Sequence, residues 1–166
     1  MRNLTATLCL TLAVLLGSVG VSWSDDFQKG LTAYKSGDYA TAVREWTPLA
    51  TQGVLSAQLN LGLMYAKGIG VPQDDEIALK WFRLCAGRGH RKCQYNLGWM
   101  YNQGRGVPQD YKTAVKWYRL AADQGYASAQ NNLGRMYAIG NGVTQDNVYA
   151  HMWWNIAASS GNKSAD

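Results

Sequence analysis

Apolar residues return along this chain in a two-part pattern. Ala57, Leu61 and Tyr65 lie four apart, which lines one face of a helix. Ala78, Trp81 and Cys85 follow at i, i+3 and i+7 and line a face of a second helix. Between them runs Gly68-Ile69-Gly70-Val71-Pro72-Gln73-Asp74. Its Gly and Pro end the first helix, and its Asp stands where the second needs an N-cap. The pattern recurs without gaps every 36 residues, at 55–90, 91–126 and 127–162. Leu61, Leu97 and Leu133 coincide, as do Met64-Tyr65, Met100-Tyr101 and Met136-Tyr137. Trp81, Trp117 and Trp153 complete the frame and read as core. Each unit is therefore a helical hairpin. A lone hairpin cannot bury its apolar stripe, so such units stack.

Gly62, Gly98 and Gly134 fall inside the first helix of each unit. Each costs about 1 kcal/mol against Ala there, and its recurrence predicts a neighbour packed too closely to admit a side chain. Residues 25–54 form a degenerate fourth unit: "YATAVREWTPLATQG" from Tyr39 parallels "YKTAVKWYRLAADQG" from Tyr111. The turn of this unit, Ser36-Gly37-Asp38-Tyr39, is shorter than the others. The predicted fold is all-α, a right-handed solenoid of stacked helix-turn-helix repeats. Residues 163–166 read as a tail that frays.

The first 24 residues stand apart. Arg2 precedes an apolar stretch from Leu4 to Val21, and Ser22 and Ser24 frame a cut before Asp25. This is the layout of a secretory signal peptide. An uncleaved anchor is the rival reading, although Ser and Thr interrupt the stretch and a span needs about 20 apolar residues. Cys9 lies too early for a lipoprotein cysteine. The expected location is periplasmic or secreted, with no membrane span after cleavage. Cleavage leaves Cys85 and Cys93, and two cysteines eight apart in an oxidising compartment suggest one disulfide. They and the distant His90 and His151 do not reproduce a zinc spacing, so neither metal nor cofactor is expected.

The pattern "LGxMYxxGxGVxQDxxxAxxW" resembles the Sel1-like repeat, a longer-looped relative of the tetratricopeptide repeat, which the tighter first hairpin resembles in turn. The Cys-x7-Cys spacing is similar to that of the cysteine-rich branch, where a bridge ties one hairpin to the next. Here only one junction carries it: the aligned pairs are Leu49 with Ala57 and Ala121 with Ala129. The resemblance implies an adaptor or regulator in the bacterial cell envelope that binds a protein or peptide on the concave surface lined by the first helices. It also implies an alternative, an envelope enzyme or inhibitor acting on peptidoglycan or β-lactams.

The residues give that alternative little. A dinucleotide fingerprint needs Gly-x-Gly-x-x-Gly between a strand and a helix. Here the third Gly is missing and a helix precedes. Ser160-x-x-Lys163 has the spacing of a serine nucleophile motif, but the partner motifs are absent and it is placed past the last helix. Asp74, Asp75 and Glu76 suit a solvated helix start. No catalytic residue is assigned. The charge of +5 comes from 16 scattered Lys and Arg against 11 Asp and Glu, with no stripe to suggest nucleic acid.

Binding fits better. Positions that vary between units are Leu59, Tyr95 and Asn131 and, four residues on, Leu63, Trp99 and Arg135. Residues four apart share a helix face, and Tyr, Trp and Arg are favoured at binding hot spots. These six are the candidate partner-binding rows. The plainer alternative makes Leu59 and Leu63 core and Asn131 and Arg135 solvated. The recurring Gln58, Gln94, Gln130 and Asn60, Asn96, Asn132 read as satisfying neighbouring backbone groups.

Overall fold

The computed structural model describes residues 24–163, with side chains through residue 159. The predicted signal segment lies outside the described residues, apart from Ser24. Helix α1 occupies 24–35 of this range. It is followed by α2 (Tyr39–Thr51), α3 (Leu55–Lys67), α4 (Asp75–Gly87), α5 (Arg91–Gln103), α6 (Tyr111–Asp123), α7 (Ala127–Ile139) and α8 (Asn147–Lys163). Consecutive helices pack in pairs, and no strand occurs among the described residues. The fold is an all-α solenoid.

A single contact closes every hairpin. A side chain built on Gly62 would meet Phe82 Cε1 at 2.5 Å, and one on Gly98 would meet Tyr118 Cδ1 at 2.8 Å. Trp46 fills the same place over Gly30, and Trp154 over Gly134. The neighbour that the helix glycines demand is thus an aromatic ring from the second helix of the same unit. Three of the rings are fully buried: Trp46 at 1%, Phe82 at 1% and Tyr118 at 0% exposure. At both ends the ring is Trp, and each indole N–H donates to the carbonyl three residues before its glycine, Phe27 at 3.2 Å and Asn131 at 3.3 Å. The recurring Trp81, Trp117 and Trp153 are only half-buried, contrary to their reading as core. In α4 and α6 the core position is the next residue, one step round the helix, while in α8 the ring at that place, Trp154, is 36% exposed.

The Gly-x-Gly bends tie units together. Gly68, Gly104 and Gly140 adopt left-handed φ of 66°, 68° and 82°, and their amides donate to Met64, Met100 and Met136 carbonyls. The second glycine of each bend rests on the start of the previous second helix: Gly70 on Tyr39, Gly106 on Asp75 and Gly142 on Tyr111. Asp74 and Asp110 then accept from Ile77 N and Thr113 N as N-caps, while Asp146 accepts from Val148 N and Tyr149 N. The first two amides of each bend cap the helix before it, and a neighbouring backbone closes off the second glycine, so the bend works as a joint between units.

Between units, three buried glutamines repeat one bond. Gln58, Gln94 and Gln130 donate to the carbonyls of Ala50, Ala86 and Ala122, at the end of the preceding helix. This is the backbone-satisfying role expected of them. Arg83 and Arg119 donate to the hydroxyls of Tyr101 and Tyr137 across the same kind of junction. Each core cluster accordingly joins the second helix of one unit to the first of the next; one links Phe82 and Cys85 to Leu97 and Met100. Helix α8 runs to Lys163, so Ser160 lies within it and not beyond the last helix. The aligned Gly89 and Gly125 turn at φ of 86° and 75° to lead into the next apolar helix. At the aligned Gly161 the helix continues, to Lys163. The side chains of Ser160 and Lys163 lie outside the described residues.

Cys85 and Cys93 form a disulfide, Cα–Cα 5.8 Å, between the end of α4 and the start of α5. His90, between them, caps α5 by accepting from Cys93 N at 3.4 Å. Burial, with help from Lys92 and Arg91, holds its pKa below the usual imidazole value and favours the neutral form that can accept. The bridge replaces the packed Leu49–Ala57 and Ala121–Ala129 pairs of the other junctions. Its closed loop is short, so replacing both cysteines by Ala should lower unfolding stability by about 2–3 kcal/mol. Urea titration of the oxidised chain against the double variant checks this; equal midpoints would show the bridge to be mechanically idle.

Candidate binding face

First helices lie side by side on one face of the stack, and a pocket opens at each of two junctions between them. Leu31, Tyr34, Asn60 and Leu63 border a cavity of about 240 Å³ between α1 and α3, with Trp46 behind it. One unit along, Leu63, Ala66, Tyr95 and Trp99 border a cavity of about 200 Å³ between α3 and α5, with Phe82 behind it. The floor of each pocket is therefore the ring locked against the helix glycine. The face repeats because the lock repeats.

Arg105 builds the rim of the second pocket. It occupies the middle of the Gly-x-Gly bend, donates to both Asp75 carboxylate oxygens at 2.6 and 2.8 Å, and reaches Ala66 O at 3.1 Å. Its guanidinium lies 5.3 Å from the Trp99 ring centroid, a cation–π distance. Trp99 thus lies beside a fixed cation, and both border the cavity.

The third junction is polar. Tyr95 packs edge-on against Tyr126 at 5.2 Å and tilts toward Tyr118 at 5.8 Å. Burial, then the nearby phenol of Tyr126, pushes the Tyr95 hydroxyl above its usual range, while Asn132 and Arg135 pull it down. Burial pushes Tyr118 still further up, and the same Asn132 and Arg135 oppose it. Both phenols therefore feel the α7 side chains. The Tyr118 hydroxyl is buried without a hydrogen-bond partner.

The six sequence-chosen residues divide accordingly. Leu63, Tyr95 and Trp99 line one cavity. Leu59 is buried at 9% exposure inside the cluster of Phe82 and Leu97, as the core alternative has it. Asn131 and Arg135 are exposed on α7, outside that cavity. Sequence reasoning missed Arg105 and the Phe82 floor. Arg105 had a signal: its bend position varies, Ile69, Arg105, Asn141, inside an otherwise fixed frame.

The comparisons follow the same period. The family described as Sel1 repeat matches residues 55–90, 91–126 and 127–162. The chain belongs to the Sel1 repeat family. Among solved structures it is similar to a Sel1 repeat protein from Oxalobacter formigenes, with 34% identity and a TM-score of 0.77, over 84% of this chain and 57% of that one. It is also similar to a protective antigen of uropathogenic Escherichia coli strains, with 38% identity and a TM-score of 0.80, over 84% of this chain and 31% of that one. Cysteine rich protein B of Helicobacter pylori shares the fold at 19% identity and a TM-score of 0.59, over 76% and 93% of the two chains. The chain thus spans 57% and 31% of the length of the first two relatives. No curated protein sequence matches it. Sel1 repeats are in general protein-interaction modules. Among the described residues no helix is long and apolar enough to cross a membrane.

The unpaired Tyr118 hydroxyl gives the site a test. A buried polar group without a partner costs about 1–3 kcal/mol, and the equivalent ring is Phe82. Tyr118→Phe should leave thermal stability unchanged or raise it. A fall of more than about 1 kcal/mol, the worth of a typical hydrogen bond, would mean that the hydroxyl is bonded in the folded chain.

Proposed function

We propose that this protein is an exported adaptor that binds a protein or peptide segment along its first-helix face. The observation that carries the reading is the pair of cavities at successive junctions, α1–α3 and α3–α5, each floored by a locked ring. Apolar pockets at a fixed repeat suit alternate side chains of one extended or helical segment. Leu63, Tyr95 and Trp99 supply the apolar contacts, Asn131 and Arg135 extend the row, and Leu59 supports it from beneath. An envelope or secreted location is supported by the Cys85–Cys93 bridge, since disulfides persist in oxidising compartments. The signal-like first 24 residues support it as well. The adaptor role rests on the repeat family and on the site, which offers contact area and no paired acid and base.

Pull-down from periplasmic extract tests the reading. The full chain should recover a partner that Trp99→Ala and Arg135→Ala each reduce severalfold, as hot-spot truncations do. Lys116→Ala, exposed on α6, should leave recovery unchanged. If Trp99→Ala and Arg135→Ala recover as much as the unaltered chain, the face is wrongly assigned.

A further inference from the structure

The first helices of the three full repeats carry only positive charge, whereas α1 holds Asp25 and Asp26 beside Lys29 and Lys35. Helices α3, α5 and α7 carry Lys67, Arg91, Lys92 and Arg135 and not one Asp or Glu. The acidic residues near this region, Asp74, Asp75, Glu76, Asp110 and Asp146, sit at or beside the N-termini of the second helices, where they serve as caps or favour the dipole. The ion pairs of the described residues join Lys29 to Asp26, Arg44 to Glu45 and Arg105 to Asp75. Lys67, Lys92 and Arg135 enter none of them. Lys67 borders the α3–α5 cavity, and Arg135 stands one unit along the same row as Leu63 and Trp99.

At the α5–α7 junction the charged side chains of both helices are all cations. The exposed Arg135 guanidinium and the Asn132 amide lie near the phenols of Tyr95 and Tyr118, and the Tyr118 hydroxyl itself is buried. No carboxylate from α5 or α7 answers them. The exposed Arg135 fork, with Asn132 three residues before it on the same helix, fits a bidentate carboxylate. The neighbouring pocket, with Trp99 on its wall, fits an apolar side chain. The cations are spread singly between aromatic and apolar residues, which fits a peptide with separate acidic and apolar side chains better than a continuous polyphosphate.

Resting on the binding role argued above, we infer that the first-helix face selects an acidic peptide segment, with an apolar side chain in the Leu63–Trp99 pocket and a carboxylate on Arg135 and Asn132. Charge complementarity of this kind gives specificity and speeds encounter.

The test sorts a bead-displayed random octapeptide library on the oxidised full chain. Recovered peptides should be enriched in Asp and Glu and in one apolar position. Their Glu→Gln counterparts should bind about tenfold more weakly, the size expected for a charged hydrogen bond. On Arg135→Gln, a substitution at an exposed site, the Glu and Gln forms should bind alike while the apolar preference remains. Peptides without acid enrichment that Trp99→Ala and Trp99→Leu both release would overturn the carboxylate inference and leave the binding face standing. No recovered peptide, or peptides indifferent to both Trp99 variants, would remove the face and the inference with it. Displacement of the acidic peptides by a duplex oligonucleotide at matched charge would reassign the face to nucleic acid and overturn the inference.

Discussion

A ring pressed on a helix glycine is the contact on which the rest of this molecule depends. It lets the two helices of a hairpin approach until a Cβ would overlap the ring. The cost of a glycine within a helix, about 1 kcal/mol, is offset by burial of a large aromatic side chain, worth about 1.5–3 kcal/mol for Phe. Because the contact lies within a unit, each hairpin sets its own geometry. The stack then needs only nearest-neighbour joints: a glutamine on a helix-end carbonyl, a glycine bend on the preceding backbone and, at one joint, a disulfide. This is the local construction expected of solenoids.

The same ring links structure to function. In the first two hairpins it is both the seal of the hairpin, as Trp46 or Phe82, and the back wall of a pocket between first helices. Changing its identity tunes the face without altering the fold. Phe82 gives an apolar floor, Tyr118 brings a buried hydroxyl, and the terminal tryptophans tie their indole N–H groups to the first helix. A scaffold held by repeated positions can thereby vary what it presents at each junction.

Much of this was legible in the sequence, because a 36-residue repeat with fixed glycines, Met-Tyr and Gln-Asp leaves few architectures open. The helix glycines announced a close neighbour, and the invariant glutamines announced a backbone partner. The identity of the neighbour was not legible. Each second helix carries adjacent bulky residues, Trp81-Phe82, Trp117-Tyr118 and Trp153-Trp154, and repetition drew attention to the invariant first member. Burial follows helix angle and not invariance: a step of one residue turns the side chain by about 100°, and Phe82 and Tyr118 face inward. Leu59 and Leu63 could not be separated by pattern, since four residues of spacing give one face but not its depth. Arg105 was hidden for the opposite reason, because the bend that holds it read as punctuation.

The central claim is that the helix glycines exist for the rings. A double-mutant cycle on Gly62 and Phe82 in the oxidised chain measures it most directly. The account predicts that Gly62→Ala alone destabilises by about 1–3 kcal/mol through overpacking. In a Phe82→Ala background the same change should become neutral or stabilising, by up to the ~1 kcal/mol helix preference of Ala over Gly. An equal cost in both backgrounds would mean that glycine and ring act independently, and the account would be wrong.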